Sequence, residues 1–370
     1  MNAVPRDDRI AIGIVLSGGR VAGVEITARR PTGVGRLAQG RSGEAVTALV
    51  PRLFALCAAA QGVAAATALS AARGERVSAA VAAAQASAVL AERLVELLRG
   101  TITTLAGPAL PSWAPLLRDV IAAARRVDQH GLVAADAIDE IERGLAALGL
   151  PAGCLDDADA CGAWLASAAP LAVLHRPLLS ADAAFGASVI DALTAHDDAA
   201  IGDQLARRGA AFASRPDLVG RVPETGALAR LMTHPLIQNT GAGLAGRLLA
   251  RLVEVAATPA RLRALRRGDA EIGDVVRSIP LGDGIGLAAV ECARGRLHHL
   301  VALDRNGLIR QFEILAPTEW NFHPQGPLAR ALIGRALRDT EADRGRVAHL
   351  VAAFDPCVGF DLHWREAADA

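Results

Sequence analysis

Two short stretches at opposite ends of the chain constrain its folding most. Near the end lies Phe354-Asp355-Pro356-Cys357-Val358-Gly359-Phe360-Asp361-Leu362-His363, where a cysteine directly follows Asp-Pro and a histidine closes the stretch. Near the start lies Pro51-Arg52-Leu53-Phe54-Ala55-Leu56-Cys57, inside a long apolar, helix-like run. Only five cysteines occur among 370 residues. Proline fixes its own φ and restricts the residue before it, which predicts Asp355 extended and Cys357 on a stiff turn. No local structure unites two such stretches. Only a fold that joins its ends does.

Hydrophobic residues make up 52% of the chain but aromatics only 3%, without a single Tyr, so Ala and Leu must fill the core and closely packed helices are favoured. The length suits one large domain or two ordinary ones. Lys plus Arg equals Asp plus Glu at 39 each, so no global field favours nucleic acid or an anionic membrane. The opening Met1–Asp8 has no apolar signal core and is acidic too early for an export peptide. Leu53–Ala72 comes nearest to a membrane span, but its alanines are too weakly apolar, and it reads as a buried helix rather than a membrane insertion. An odd number of cysteines without a secretion signal predicts reduced thiols and a cytoplasmic protein.

Read in order, Arg9–Leu16 and Arg20–Ala28 alternate around Ser17-Gly18-Gly19, a β-hairpin pattern. From Gly43 the period becomes helical: Val46, Leu49, Val50, Leu53 and Leu56 share a face. Further helices are predicted at Glu75–Leu98, ending by Gly100, and at Trp113–Arg126, Ala135–Leu148, Ala199–Ser214 and Gly243–Leu265. Strands are predicted at Gly286–Glu291, Leu297–Leu303 and Gly307–Ile314, with Asp304-Arg305-Asn306-Gly307 as a hairpin turn. Without a fixed-period repeat or a long linker, the chain reads as one α+β, mainly α unit: a hairpin region over 1–40, a helical core over 41–270 and a strand-rich region over 271–370.

These stretches resemble the large subunit of nickel–iron hydrogenases. That family carries Arg-x-Cys-x-x-Cys near its start and Asp-Pro-Cys-x-x-Cys-x-x-His at its end. Here Arg52 and Cys57 match while Phe54 stands at the first cysteine; Asp355, Pro356, Cys357 and His363 match while Phe360 stands at the last. Between them, Glu224-Thr225-Gly226-Ala227-Leu228-Ala229-Arg230, Glu291–His299, Pro317-Thr318-Glu319-Trp320-Asn321, Gly326-Pro327 and Leu332-Ile333-Gly334 arrive in the family's order. The resemblance is clear over 41–72 and 222–363. It implies a shortened large-subunit fold, a central helical bundle with small mixed sheets made from both chain ends. At the family's N-terminal proton gate this chain has Ala11.

By the same resemblance, Cys57 and Cys357 are metal ligands, Arg294 faces the cyanide ligands of an iron with Asp355 orienting it, and Gln61 and His363 lie behind. Thiolates suit iron, and a five-donor guanidinium suits a buried anionic group. The plainer reading makes both cysteines small buried hydrophobes and Arg294–Asp355 a structural pair. Three other features carry less. Gly241-Ala242-Gly243-Leu244-Ala245-Gly246 fits G-x-G-x-x-G but follows a poor strand and reads as a small-residue helix face. Cys154 and Cys161 have no histidine nearby for zinc. Arg261, Arg263, Arg266 and Arg267 lack interleaved aromatics and read as a solvated helix end.

Half of the thiolate set is missing, so a nickel–iron centre cannot be completed, and no nickel is expected. The chain resembles the large-subunit-like hydrogenase maturation proteins of the HupK/HoxV type. What this implies is a non-enzymatic scaffold that transiently holds iron carrying cyanide and carbon monoxide, with the hydrogenase large-subunit precursor and other maturation proteins as partners. Two alternatives are a metal-free docking protein for the same partners and a divergent, quinone-binding redox subunit. The absent Tyr and the retained Asp-Pro-Cys argue against the last.

Overall fold

The computed structural model describes residues 9–28, 34–54, 56–129, 132–181 and 183–367. Met1–Asp8, read above as lacking an export signal, lies outside them. Strands β1 (Ile10–Ser17) and β2 (Arg20–Ala28) pair antiparallel. Gly18 and Gly19 turn between them with φ of 56° and 72°, the left-handed geometry a two-residue hairpin of this hand requires.

Helix α1 (Gly43–Leu53) starts where Ser42 accepts a hydrogen bond from the Ala45 N–H. It does not run on into the alanines as the apolar pattern predicted. Pro51 weakens its last turn by removing one backbone donor, and Phe54 is already extended. Helix α2 (Ala58–Arg73) restarts at Cys57. Its first free N–H groups, Ala59 and Ala60, are satisfied by the Glu92 carboxylate at 2.7 and 3.0 Å. Glu92 belongs to α3 (Ala79–Leu105), which runs straight through Gly100, the predicted terminus. Gly100 stays inside the helix, and a Cβ there would make only an ordinary contact, 3.5 Å, with Asp355 Oδ1.

Helices α4 (Leu110–Arg126) and α5 (Ala135–Ala147) lie where periodicity placed them. The 199–214 stretch divides at Gly209 into Asp198–Arg208 and Ala210–Ser214. Helix α6 (Leu244–Arg267) is the centre of the bundle, buried on all sides over its first three turns and packed on α3. Four sequential antiparallel strands follow: β3 (Val276–Gly282), β4 (Ile285–Cys292), β5 (Gly295–Leu303) and β6 (Ile309–Leu315). Strand β3 was not anticipated. It carries Pro280, tolerated because β3 is the sheet edge. α2 covers β4 so closely that Gly286 touches the backbone of Ala68 and Ala72.

Helix α7 (Glu341–Ala353), also unanticipated, is capped by Thr340 and leads into the Asp-Pro-Cys turn. Strand β7 (Phe360–Glu366) then lies parallel to β1, with Ile10 opposite Phe360 and Gly13 opposite His363. The two chain ends therefore share one mixed sheet, whose inner face (Ile10, Ile12, Ile14) packs on Leu350, Val351 and Phe354. Among the described residues no helix is long and apolar enough to cross a membrane.

Candidate functional site

Strands β4 and β5 are joined by the two-residue turn Ala293-Arg294, closed by the Cys292–Gly295 pair. Hairpin tips ordinarily lie at the surface. This one is buried, with Arg294 only 6% exposed. Neighbouring segments hold it in place. Arg296 N–H donates to Thr225 Oγ1 at 2.8 Å, and Asn321 clamps the Thr225 backbone, accepting from its N–H at 3.0 Å and donating to its carbonyl at 2.8 Å. Gly295 has φ 128°, and a Cβ on it would strike the Thr225 hydroxyl. The motif segments around 225, 294 and 321 are thus one interlocked object.

The Asp-Pro-Cys turn approaches from the other side. Asp355 is not extended, as the proline rule predicted, but left-handed, with φ 55°. The helix end demands a chain reversal, Pro356 disfavours the right-handed alternative, and Asp is among the residues that tolerate this region. Its N–H still bonds to Ala352 O at 3.0 Å. Helix α6 pins the turn: Arg251 donates to the carbonyls of Ala352 and Ala353, and Arg247, paired with Glu224 at 2.8 Å, stacks on the Phe354 ring. Past Pro356, the half-buried Cys357 Sγ comes to 3.8 Å from Thr318 Oγ1.

Helix α2 supplies the third wall. Cys57 sits at its N-terminus, and one turn on Gln61 donates to Cys57 Sγ at 3.7 Å while its carbonyl accepts from His299 Nε2 at 2.7 Å. Burial drives the His299 pKa down to about 3, so the imidazole is neutral and its orientation fixed by Gln61.

All three walls face the Arg294 guanidinium. Its Nη2 reaches Glu96 at 3.3 Å and its Nε lies 4.0 Å from Asp355 Oδ2, too long for a hydrogen bond. Nε and Nη1, and Asp355 Oδ2, have no hydrogen-bond partner. Burial opposes the charge, but Asp355, Glu96 and Cys357 together hold the Arg294 pKa above its ordinary value. Burial, then neighbouring Cys292, pushes the Cys57 thiol up to about 12, although Arg294 and Gln61 partly offset this. Each buried polar group without a partner costs about 1–3 kcal/mol. The cluster is therefore unsatisfied, and a ligand with electron-pair donors would satisfy its Arg294 N–H groups. Among the described residues no three His, Cys, Asp or Glu side chains form a group able to hold a metal ion. Cys57 and Cys357 both lie within electrostatic reach of the Arg294 cation.

Of the residues singled out from sequence, Cys57, Gln61, Arg294, Asp355 and Cys357 converge here. His363 does not. Period-two alternation turns it outward on β7, exposed, with Asp361 as its charged neighbour. Phe360, half-buried, packs against the core beneath the terminal sheet, whereas Phe54 and Cys57, also half-buried, pack against the main core. Arg261, Arg263 and Arg267 pair with Asp274, with Asp139 and Glu142, and with Asp269. The glycines at 241–246 pack backbone on backbone at the start of α6. Sequence reasoning missed Glu96, which has no motif, and Cys292, whose place two residues before Arg294 was the available signal.

The nickel-dependent hydrogenase family matches residues 214–363. The hydrogenase expression/formation protein HupK of Bradyrhizobium diazoefficiens is 39% identical, covering 98% of both chains. The hydrogenase expression/formation protein HoxV of Cupriavidus necator is 32% identical, covering 94% of both. Among solved structures, the nickel–iron–selenium hydrogenase of Desulfovibrio vulgaris Hildenborough aligns with a TM-score of 0.59 at 16% identity, covering 93% of this chain and 95% of that one. At that identity the likeness establishes the fold alone, an α+β fold of the hydrogenase large-subunit kind.

Proposed function

The chain belongs to the hydrogenase expression/formation family of HupK and HoxV, and from that premise we propose that it is an accessory carrier in nickel–iron hydrogenase maturation. Its cargo is an iron carrying cyanide and carbon monoxide, which it holds transiently in the cytoplasm before passing it to the large-subunit precursor, among other maturation proteins.

The observation that carries this reading is the guanidinium of Arg294, buried with two nitrogens unpartnered and within electrostatic reach of thiols from opposite ends of the chain. Cys57 and Cys357 would ligate the iron, since soft thiolates suit it. The free Arg294 N–H groups would donate to the cyanide nitrogens. Glu96 and Asp355 keep the guanidinium charged and aimed. Holding the cargo requires each ligating thiol to lose its proton. With the Cys57 thiol at about 12, every pH unit below that weakens the grip by about tenfold. A weakened grip suits a carrier that must release.

Infrared spectroscopy in the carbon monoxide and cyanide stretching region tests this, on protein purified anaerobically from cells making a complete hydrogenase system. Bands are expected, together with iron, and are expected to vanish in Cys57→Ser and Cys357→Ser. Protein free of bands and iron while hydrogenase precursors co-purify would sink the carrier reading. It would leave the metal-free docking protein.

A further inference from the structure

A third sulfur faces the same arginine, and neither motif contains it. We propose that Cys292 pairs with Cys57 as a two-thiol seat for a soft metal ion, so that a cargo held near Arg294 meets a cysteine of the hairpin as well as that of α2. The packing of α2 on β4 carries the argument. The two elements run in opposite directions: Ala68 and Ala72 lie on Gly286, while Gln61 bonds to His299, the partner of Ala288. Continuing this register brings the N-terminus of α2, Cys57, toward the end of β4, Cys292. The two thiols accordingly feel one another electrostatically. Arg294, in the turn itself and 6% exposed, leaves Nε and Nη1 unpartnered and lies within electrostatic reach of both thiols. Cys292 itself is 4% exposed and donates its thiol proton to Gly295 O at 3.1 Å, leaving its sulfur lone pairs available. On binding, the S–H bond breaks, an S–metal bond forms, the proton passes to solvent and the metal keeps its oxidation state.

The inference rests on the carrier reading only for the identity of the cargo, so the test uses a different metal. Cobalt(II) is titrated anaerobically into the purified full-length protein, and sulfur-to-cobalt charge-transfer absorbance reports the ligating thiolates. Cys292→Ser keeps the hydrogen bond to Gly295 while removing the soft donor, and Cys292→Ala removes both. Each is expected to lose one sulfur's share of the band and to weaken cobalt binding by about tenfold or more. Should the serine variant fold poorly, judged by circular dichroism, the alanine variant decides. A band unchanged by either substitution, or no band in the wild type, overturns the proposal. Infrared bands that survive Cys292→Ser while cobalt binding is also unchanged would sink the seat and keep the carrier. Cobalt binding through Cys292 in protein that never shows those bands would do the reverse.

Discussion

Arg294 and Arg296 sit two residues apart on one hairpin and are both buried, yet their surroundings are opposite. Arg296 is saturated: it grips Asp198 with two hydrogen bonds of 2.6 and 2.7 Å and Glu291 with a third at 2.7 Å. The network extends through Glu291 to Arg230 and on to Glu254, with His298 closing on Asp198. Arg294 has one hydrogen bond, at 3.3 Å, and two idle donors. A buried charge costs several kcal/mol to desolvate and is tolerated when its donors are used. The first arginine is therefore complete within the fold. The second is complete only with something the fold does not provide.

The contrast breaks most readily by substitution. Arg296→Met should destabilise by about 3–5 kcal/mol, since it removes three short buried hydrogen bonds and leaves Asp198 only His298 and the part-exposed Arg277, and Glu291 only Arg230. Arg294→Met should change stability by no more than about 1 kcal/mol, because Glu96 keeps Arg99 and Asp355 keeps Arg251 as partners. Urea denaturation of both variants measures this. Equal losses would dissolve the distinction between the two sites.

Acid sharpens it. Burial of Asp198 is outweighed by His298 and Arg296, which depress its pKa from 3.8 to about 2. A depressed carboxylate stabilises the fold above its unfolded pKa, and that contribution is lost as pH falls from about 4 toward 2. The amount is about 2–3 kcal/mol. Asp198→Asn should flatten this part of the stability–pH curve. Around Arg294 the sign is the same but the window lies higher and the quantity is binding rather than stability: cobalt affinity should climb by about tenfold, or about 1.4 kcal/mol, per pH unit for each thiol proton displaced between pH 6 and 9. A flat profile would mean that no thiol ligates.

The smallest effect concerns the Asp-Pro-Cys turn. Asp355→Ala and Asp355→Asn remove the same charge, but only Asn tolerates φ 55° comfortably. Alanine should be the less stable by about 1 kcal/mol in thermal unfolding. Equal stabilities would show that the left-handed turn stores no strain.

Much of the fold was legible because periodicity records which face of a segment is buried. Gly18-Gly19 announced the first hairpin, and the helical face of Val46 and Val50 announced α1. The misreadings fall where a distant partner overrules the local signal. Gly100 looked like a helix end but lies within α3, which packs along α6, and Leu53–Ala72 looked continuous but breaks where Glu92 caps a new start. His363 matched a motif, yet the alternation of β7 turned it to solvent.

The sequence by itself determined the local elements, the order of the motif segments and the loss of two thiolate positions at Phe54 and Phe360. These follow from residue identity and short-range spacing. Only the tertiary structure decided that β7 returns to β1, and that Cys57, Cys292 and Cys357 come within electrostatic reach of one guanidinium while His363 turns to solvent. Such meetings depend on how elements far apart in the chain close on one another. Neither period nor motif encodes which buried donor is left without a partner.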